Sequence, residues 1–121
     1  MIISKYLKRI KKAKGLGLSQ SEVTILASIV QMEQQIKFDE HSKIAGLYVN
    51  RLKRGMKLQA DPTVKYALNK PNLKRLYYSH LKEDSPYNTY MYKGLPPGPI
   101  CIPDSRVIDA VLNHSKHNYI F

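Results

Sequence analysis

Glu33 is the residue of this sequence whose position most directly suggests chemistry. A capping-box pattern, Ser19-Gln20-Ser21-Glu22, predicts a helix that begins at Gln20. Apolar residues then recur on one stripe as far as Val30, and Glu33 falls on that stripe, while Ser28 and Gln31 share the opposite, polar face. A carboxylate among aliphatic side chains loses hydration, so its pKa rises and it tends to hold a proton near neutrality. Alternatively, Glu33 lies on the last turn and meets solvent or an arginine.

Other catalytic chemistries find little support in the sequence. The four histidines include one close pair, His114 and His117, with no cysteine or carboxylate nearby in sequence, so we expect no metal. Cys101 is the single cysteine and can form no internal disulfide. The sequence has no G-x-S-x-G nucleophile motif and no glycine-rich phosphate loop. We therefore expect no cofactor.

Acid chemistry on a glycoside is the class that remains. It needs a carboxylic acid with a raised pKa to protonate the leaving oxygen, and Glu33 meets that requirement. It also needs polar groups to hold the sugar. Residues of that kind stand on predicted turns and helix starts, although by composition they are ordinary turn and cap residues: Asn50, Gln59, Asp61, Thr63, Tyr87, Asn88 and Thr89.

The elements that must position these residues are mainly helical. Helices are predicted over 3–14, from Gln20, over 39–54, over 61–68 with Asp61 as N-cap, over 72–84, and after Asp104 or Ser105. Residues 87–92 are predicted to be a strand or an extended loop, residues 94–99 form a proline-rich loop, and residues 119–121 are predicted to start a strand. The predicted fold class is α+β, mostly helical with a small β component.

Length and charge restrict the function further. The chain has 121 residues, enough for one domain, and a net charge of +11. Such a charge favours polyanionic partners, namely nucleic acid, anionic lipid or a cell-wall polymer. No zinc finger, RNP-type strand or clear helix-turn-helix glycine is present, so we expect no nucleic-acid partner. Much of the charge lies in the first 14 residues, which read as a basic amphipathic helix with either a solvated face or a polyanion contact.

Five collinear motifs make the sequence recognisable. Together they closely resemble the YceG-like (MltG) endolytic murein transglycosylase family, from about Leu16 to Phe121. The motifs are Leu26-Ala27-Ser28-Ile29-Val30-x-x-Glu33, Ile44-Ala45-Gly46-x-Tyr48-x-Asn50-Arg51-Leu52, Gly55-Met56-x-Leu58-Gln59-x-Asp61-Pro62-Thr63-Val64, Ser85-Pro86-Tyr87-Asn88-Thr89-Tyr90 and Gly94-Leu95-Pro96-Pro97-Gly98-Pro99-Ile100.

The resemblance implies a lysozyme-like catalytic domain that acts as a carbon–oxygen lyase on peptidoglycan. Such an enzyme cleaves the β-1,4 bond between N-acetylmuramic acid and N-acetylglucosamine within a strand and leaves a 1,6-anhydromuramic end. One carboxylic acid first protonates the glycosidic oxygen and then accepts the proton of the sugar's own 6-hydroxyl. A single Glu can therefore suffice where hydrolases typically need two carboxylates.

The family's functional positions can be carried over residue by residue. The catalytic Glu falls on Glu33, although the usual Ile-Val-Glu-x-Glu-Thr pattern has Gln31 and Gln34 here in place of the first Glu and the Thr. The positions expected to line the glycan groove are Asn50, Arg51, Gln59, Asp61, Thr63, Tyr87, Asn88 and Thr89.

The resemblance also predicts organisation and location. Residues 1–15 are a basic helical lead-in, and residues 16–121 are the catalytic domain, which lacks the family's C-terminal His-containing segment. The family's membrane helix is absent as well, so any membrane contact would come through that missing anchor. We expect action in the cell envelope at the outer face of the cytoplasmic membrane, on peptidoglycan strands and alongside peptidoglycan synthases.

Two alternatives stay open at this point. Asp61 could act as a second catalytic carboxylate, which would give hydrolysis. The chain could also be a non-catalytic module that binds glycan or, through its basic N-terminus, a polyanion.

Overall fold

A computed structural model describes the backbone of residues 2–121, with the side chains of Ser4 and of Leu7 onward. Met1 of the predicted lead-in lies outside the described residues, as do the side chains at positions 2, 3, 5 and 6. The helices are α1 (Ile2–Leu16), α2 (Gln20–Glu33), α3 (His41–Lys53), α4 (Asp61–Ala67), α5 (Tyr78–Leu81) and α6 (Ser105–Leu112), with a 3-10 turn at Phe38–Glu40 before α3.

The predicted β component, and with it the α+β class, is wrong. Between residues 2 and 121 the structure has helices, turns and extended segments, and no strand. Residues 87–92 close into turns, because the amides of Met91 and Tyr92 both donate to the carbonyl of Asn88, at 3.1 and 3.0 Å. Residues 119–121 are extended, but the carbonyls of Tyr119 and Ile120 accept from side chains of α3 rather than from another strand. The fold is predominantly helical.

Helix α2 lies at the centre of this fold and begins at Gln20, as predicted. Ser19 Oγ accepts from the Glu22 amide at 3.2 Å and the Glu22 carboxylate accepts from the Ser19 amide at 2.9 Å, which completes the capping box. The helix packs against α1, α3, α4 and α6. Ser28 was predicted on a polar face but is fully buried. Its hydroxyl accepts from the Ile100 amide at 3.0 Å, and this bond connects the proline-rich loop to α2.

The other long helices enclose the same core. Val49 of α3 and Val107 and Val111 of α6 are buried in it. Helix α6 begins after Asp104, whose carboxylate caps the Arg106 amide. Helix α1 is joined to α6 by an ion pair between Arg9 and Asp109 at 2.9 Å.

Two local predictions between α3 and α6 are wrong. The helix predicted over 72–84 is reduced to the four residues of α5, because Leu73 and Leu76 are only half-buried and supply no face for the core to stabilise. Asp61 is the first residue of α4 rather than its N-cap. The N-cap is Ala60, whose methyl side chain can neither donate nor accept a hydrogen bond. The Asp61 carboxylate is therefore available for another contact.

Candidate active site

Glu33 is the last residue of α2 and stands where the helix leaves the core. The next residue, Gln34, has an extended backbone, and Glu33 is exposed when the residue is taken as a whole. Its partner is the buried Tyr48 of α3, whose hydroxyl donates to Glu33 Oε2 at 3.4 Å. The carboxyl group is thus reachable by a ligand and is oriented from one side by a phenol.

The surroundings of Glu33 favour its protonated form. Its pKa is raised, first because neighbouring protein displaces water from the carboxylate and second because the negative charge of Asp61 acts on it. The hydrogen bond from Tyr48 and the charge of Lys65 act in the opposite direction and lower the pKa by less. Solvent access to the residue does not cancel the loss of water around the carboxylate, so Glu33 can carry a proton to a higher pH than an ordinary Glu.

Asp61 forms the second half of the site with Tyr90. The Tyr90 hydroxyl donates to Asp61 Oδ1 at 2.5 Å. Burial, this hydrogen bond and the charges of Asp61 and Glu33 all raise the pKa of Tyr90, while burial and the charge of Glu33 raise that of Tyr48. Both phenols therefore stay protonated and act as donors, so each carboxylate of the site has one tyrosine hydroxyl beside it.

Tyr48 and Tyr90 were not among the predicted site residues. Each of the two tyrosines has a place in the prediction only as a member of a family motif, with no role of its own. Their partners lie 15 and 29 residues away, so the pairs form only through tertiary packing. The one available signal was their presence in two of the quoted motifs.

Three predicted substrate residues have buried side chains whose polar atoms are bonded within the protein. Thr63 Oγ1 donates to the Ala60 carbonyl at 2.7 Å and lies 2.8 Å from Thr89 Oγ1, which accepts from the Ala60 amide at 2.9 Å. Asn88 Nδ2 donates to two carbonyls, and its Oδ1 accepts from the Tyr90 amide, each at 2.9 Å. These contacts hold the 85–92 loop against the start of α4 and bring Tyr90 to Asp61.

The remaining predicted residues lie around this unit. Asn50 and Arg51 bond to the carbonyls of the terminal segment, residues 115–121, and Arg51 also bonds to the Leu58 carbonyl at 2.9 Å. Gln59 is exposed, and its backbone amide donates to the Thr89 carbonyl at 3.1 Å. The Tyr87 ring lies 4.8 Å from that of Tyr66.

A cavity of about 260 Å³ is lined by residues that neighbour Glu33 and Asp61 in sequence, although neither carboxylate lines it. Met32 precedes Glu33, Pro62 follows Asp61, and Lys65 is the cation whose charge acts on Glu33. The other lining residues are Gln35, Tyr66, Asn69, Pro71 and Ile100. The lining combines polar groups, apolar side chains and one aromatic ring, and this mixture is compatible with a sugar ring.

Among the residues whose side chains are described, no group of three or more His, Cys, Asp or Glu could hold a metal ion. No helix in the described part of the chain has the length and apolarity needed to cross a bilayer.

Comparison with known proteins places this geometry in a family. The sequence model of the YceG-like family matches residues 1–121. The chain belongs to the YceG-like family. It is similar to a Bacillus subtilis protein named endolytic murein transglycosylase, with 40% identity over 119 residues, which are 98% of this chain and 32% of that protein. A Streptococcus pneumoniae protein of the same name is 33% identical over 112 residues, which are 89% of this chain and 20% of the relative.

A solved structure agrees with the family membership. The crystal structure of a YceG-like protein from Listeria monocytogenes superposes with a TM-score of 0.83 at 37% identity, over 98% of this chain and 38% of that chain. The chain therefore spans about a third of the length of the Bacillus relative and less of the Streptococcus one.

Proposed function

We propose that this chain carries the catalytic site of an endolytic peptidoglycan transglycosylase, with Glu33 as the catalytic residue. The observation that carries the proposal is a reachable carboxyl group with a raised pKa, set between Tyr48 and the charge of Asp61. Family membership and the names of the two relatives support the same substrate, the glycan strand of the cell wall.

In the proposed reaction Glu33 acts first as an acid and then as a base. Its proton passes to the glycosidic oxygen as the bond to C1 of the muramic acid residue breaks. The 6-hydroxyl of the same sugar then bonds to C1, and its proton returns to Glu33. The nucleophile belongs to the substrate, so its effective concentration is high and no water is consumed. The charge of Asp61 would stabilise the positive charge that develops at C1.

The side chains around Glu33 fall into two groups, those exposed enough to contact a glycan and those buried in the protein. Gln59, Asp61 and Tyr87 have exposed or half-buried side chains and are proposed to contact the strand. The buried Thr63, Asn88 and Thr89 would contribute by holding Asp61 and Tyr90 in place. The neighbouring cavity of about 260 Å³ would take a sugar ring on the Tyr66 side. The same proposal places the enzyme at the outer face of the cytoplasmic membrane, where it would act alongside peptidoglycan synthases.

The deciding experiment is Glu33→Gln assayed on purified sacculi. We expect the wild-type chain to release glycan fragments with 1,6-anhydromuramic ends and the variant to release none, while the circular dichroism spectrum shows that the variant is folded. Glu83→Gln is the matched control, because Glu83 has an exposed side chain with no partner in the described structure and its loss removes the same charge. Full activity of Glu33→Gln would refute the proposal.

Mass spectrometry of the products separates the alternatives. A product one water heavier than the anhydro form would indicate hydrolysis, with Asp61 as a second carboxylate. Glycan binding without any product would indicate a non-catalytic module. Both results contradict the proposed reaction.

A further inference from the structure

Arg51 joins two parts of the chain that are far apart in sequence. It lies in the last turn of α3, where Nε donates to the Ile120 carbonyl at 2.5 Å and Nη1 donates to the Leu58 carbonyl at 2.9 Å. Nη1 also lies 3.5 Å from Gln59 Oε1. The planar fork of a guanidinium suits such divergent contacts, which a lysine cannot reproduce. The donors of Arg51 that these bonds occupy are not available for a sugar.

The segment that Arg51 contacts leads directly into the active site. Gln59 has a φ of 51°, a left-handed conformation that costs a non-glycine residue about 1–2 kcal/mol. Such a conformation persists only when the surroundings hold it. Two residues later comes Asp61, whose charge acts on Glu33 and whose carboxylate accepts from Tyr90. A change in the backbone at Gln59 would therefore move Asp61 relative to Glu33.

The other end of the Arg51 contact is itself held by α3. Asn50 Nδ2 donates to the carbonyls of His117 at 2.7 Å and Tyr119 at 3.0 Å, and the Ser115 amide donates to the Ser42 carbonyl at 3.1 Å. These bonds set the position of the Ile120 carbonyl, and so the direction in which the Arg51 side chain points.

We propose that Arg51 is a positioning residue that links the terminal segment, residues 115–121, to residues 57–61 and thereby holds Asp61 beside Glu33. The importance of Arg51 for catalysis rests on the proposed function. The link between the two segments does not depend on that function. The proposal differs from the sequence-based interpretation, in which Arg51 binds the glycan directly.

The link can be tested without any enzymatic assay, by following the titration of the Glu33 carboxyl carbon by NMR in the full chain. Removing a positive charge raises the pKa of a nearby carboxyl group, whereas moving Asp61 away lowers it. We expect Arg51→Lys, which keeps the charge and loses the fork, to lower the pKa of Glu33. Asn50→Ala, which leaves Arg51 intact and removes two of the bonds that hold the terminal segment, is expected to do the same.

Arg54→Gln is the control, since the exposed Arg54 side chain carries the same charge and has no bond in the described structure, where only the Arg54 amide is bonded, to the Asn50 carbonyl. It should leave the pKa of Glu33 unchanged or slightly raised. An unchanged or raised pKa of Glu33 in Arg51→Lys would overturn the proposal.

Kinetics on a soluble glycan strand give the second test. A misplacement of about 1 Å costs about 100-fold in rate, so Arg51→Lys should lower kcat by up to that factor with little change in KM. A raised KM with unchanged kcat would mean that Arg51 binds the glycan, and would overturn the positioning role. A wild-type chain that yields no anhydro product would refute the proposed function, while the NMR result would still decide whether the link exists.

Discussion

Gly46 is the point at which the terminal segment crosses α3 most closely. A Cβ built on Gly46 would lie 2.4 Å from the Ser115 carbonyl oxygen and 2.9 Å from His117 Nε2. Ordinary contact begins at 3.4 Å, so in Gly46→Ala the segment must retreat by about 1 Å. The nearest atom belongs to the backbone, which cannot move aside as a flexible side chain could.

The expected loss of stability follows from the contacts that this retreat disturbs. The hydrogen bonds that hold the terminal segment to α3 include one from the Ser115 amide, two from Asn50 and one from Arg51. At about 0.5–1.5 kcal/mol each, weakening them costs about 2–4 kcal/mol. Ala in place of Gly within a helix returns about 1 kcal/mol. We therefore expect Gly46→Ala to lower the free energy of unfolding by about 1–3 kcal/mol.

Urea unfolding followed by circular dichroism measures this difference. The matched control is Gly15→Ala in α1, where a Cβ would meet nothing within 4 Å. That control should gain up to about 1 kcal/mol from helix propensity alone. If Gly46→Ala proved as stable as wild type, the terminal segment would not be docked as described, and the geometric basis of the Arg51 link would fail with it.

Three further predictions concern a cap, a buried network and a titration. Ser19→Ala removes the capping box of α2 and should cost about 0.5–2 kcal/mol, measured as a lower urea midpoint. Thr63→Val removes a buried hydroxyl that donates to the Ala60 carbonyl and should cost about 1–3 kcal/mol in the same assay, with the Tyr90 ring resonances shifting as its loop loosens. The pKa of Glu33 in the folded chain is raised above its ordinary 4.5, so wild type loses stability as pH rises through the interval between the unfolded and folded values. Glu33→Gln should remove that loss, so the unfolding midpoint of the variant relative to wild type should be higher at about pH 8 than at about pH 4; the same offset at both pH values would contradict the raised pKa.

Helix ends were predictable wherever local hydrogen bonding decides them. The start of α2 at Gln20 and of α6 after Asp104 follow from side chains that bond to amides two or three residues away. The same reasoning was wrong for Asp61, which has the residue type of a cap but lies one position inside α4. Its carboxylate bonds to Tyr90, 29 residues away, and no local pattern contains that partner.

The non-helical segments were predictable in position and not in type. Alternation and aromatic content indicated a strand or an extended loop at 87–92 and the start of a strand at 119–121. A strand needs a neighbouring backbone, and here the polar backbone groups bond instead to the Asn88 carbonyl and to the side chains of Asn50 and Arg51. Those partners are brought into reach only when the helices pack.

The position of Glu33 was determined by the local sequence pattern, and its environment by tertiary packing. Helical periodicity placed Glu33 on the apolar stripe of α2, because a stripe at that spacing is a property of the residues themselves. Tertiary packing decided its neighbours, since Tyr48 comes from α3 and Asp61 from α4. The raised pKa depends on water excluded and charge supplied by those separate elements, and an electrostatic environment of that kind exists only in the assembled fold.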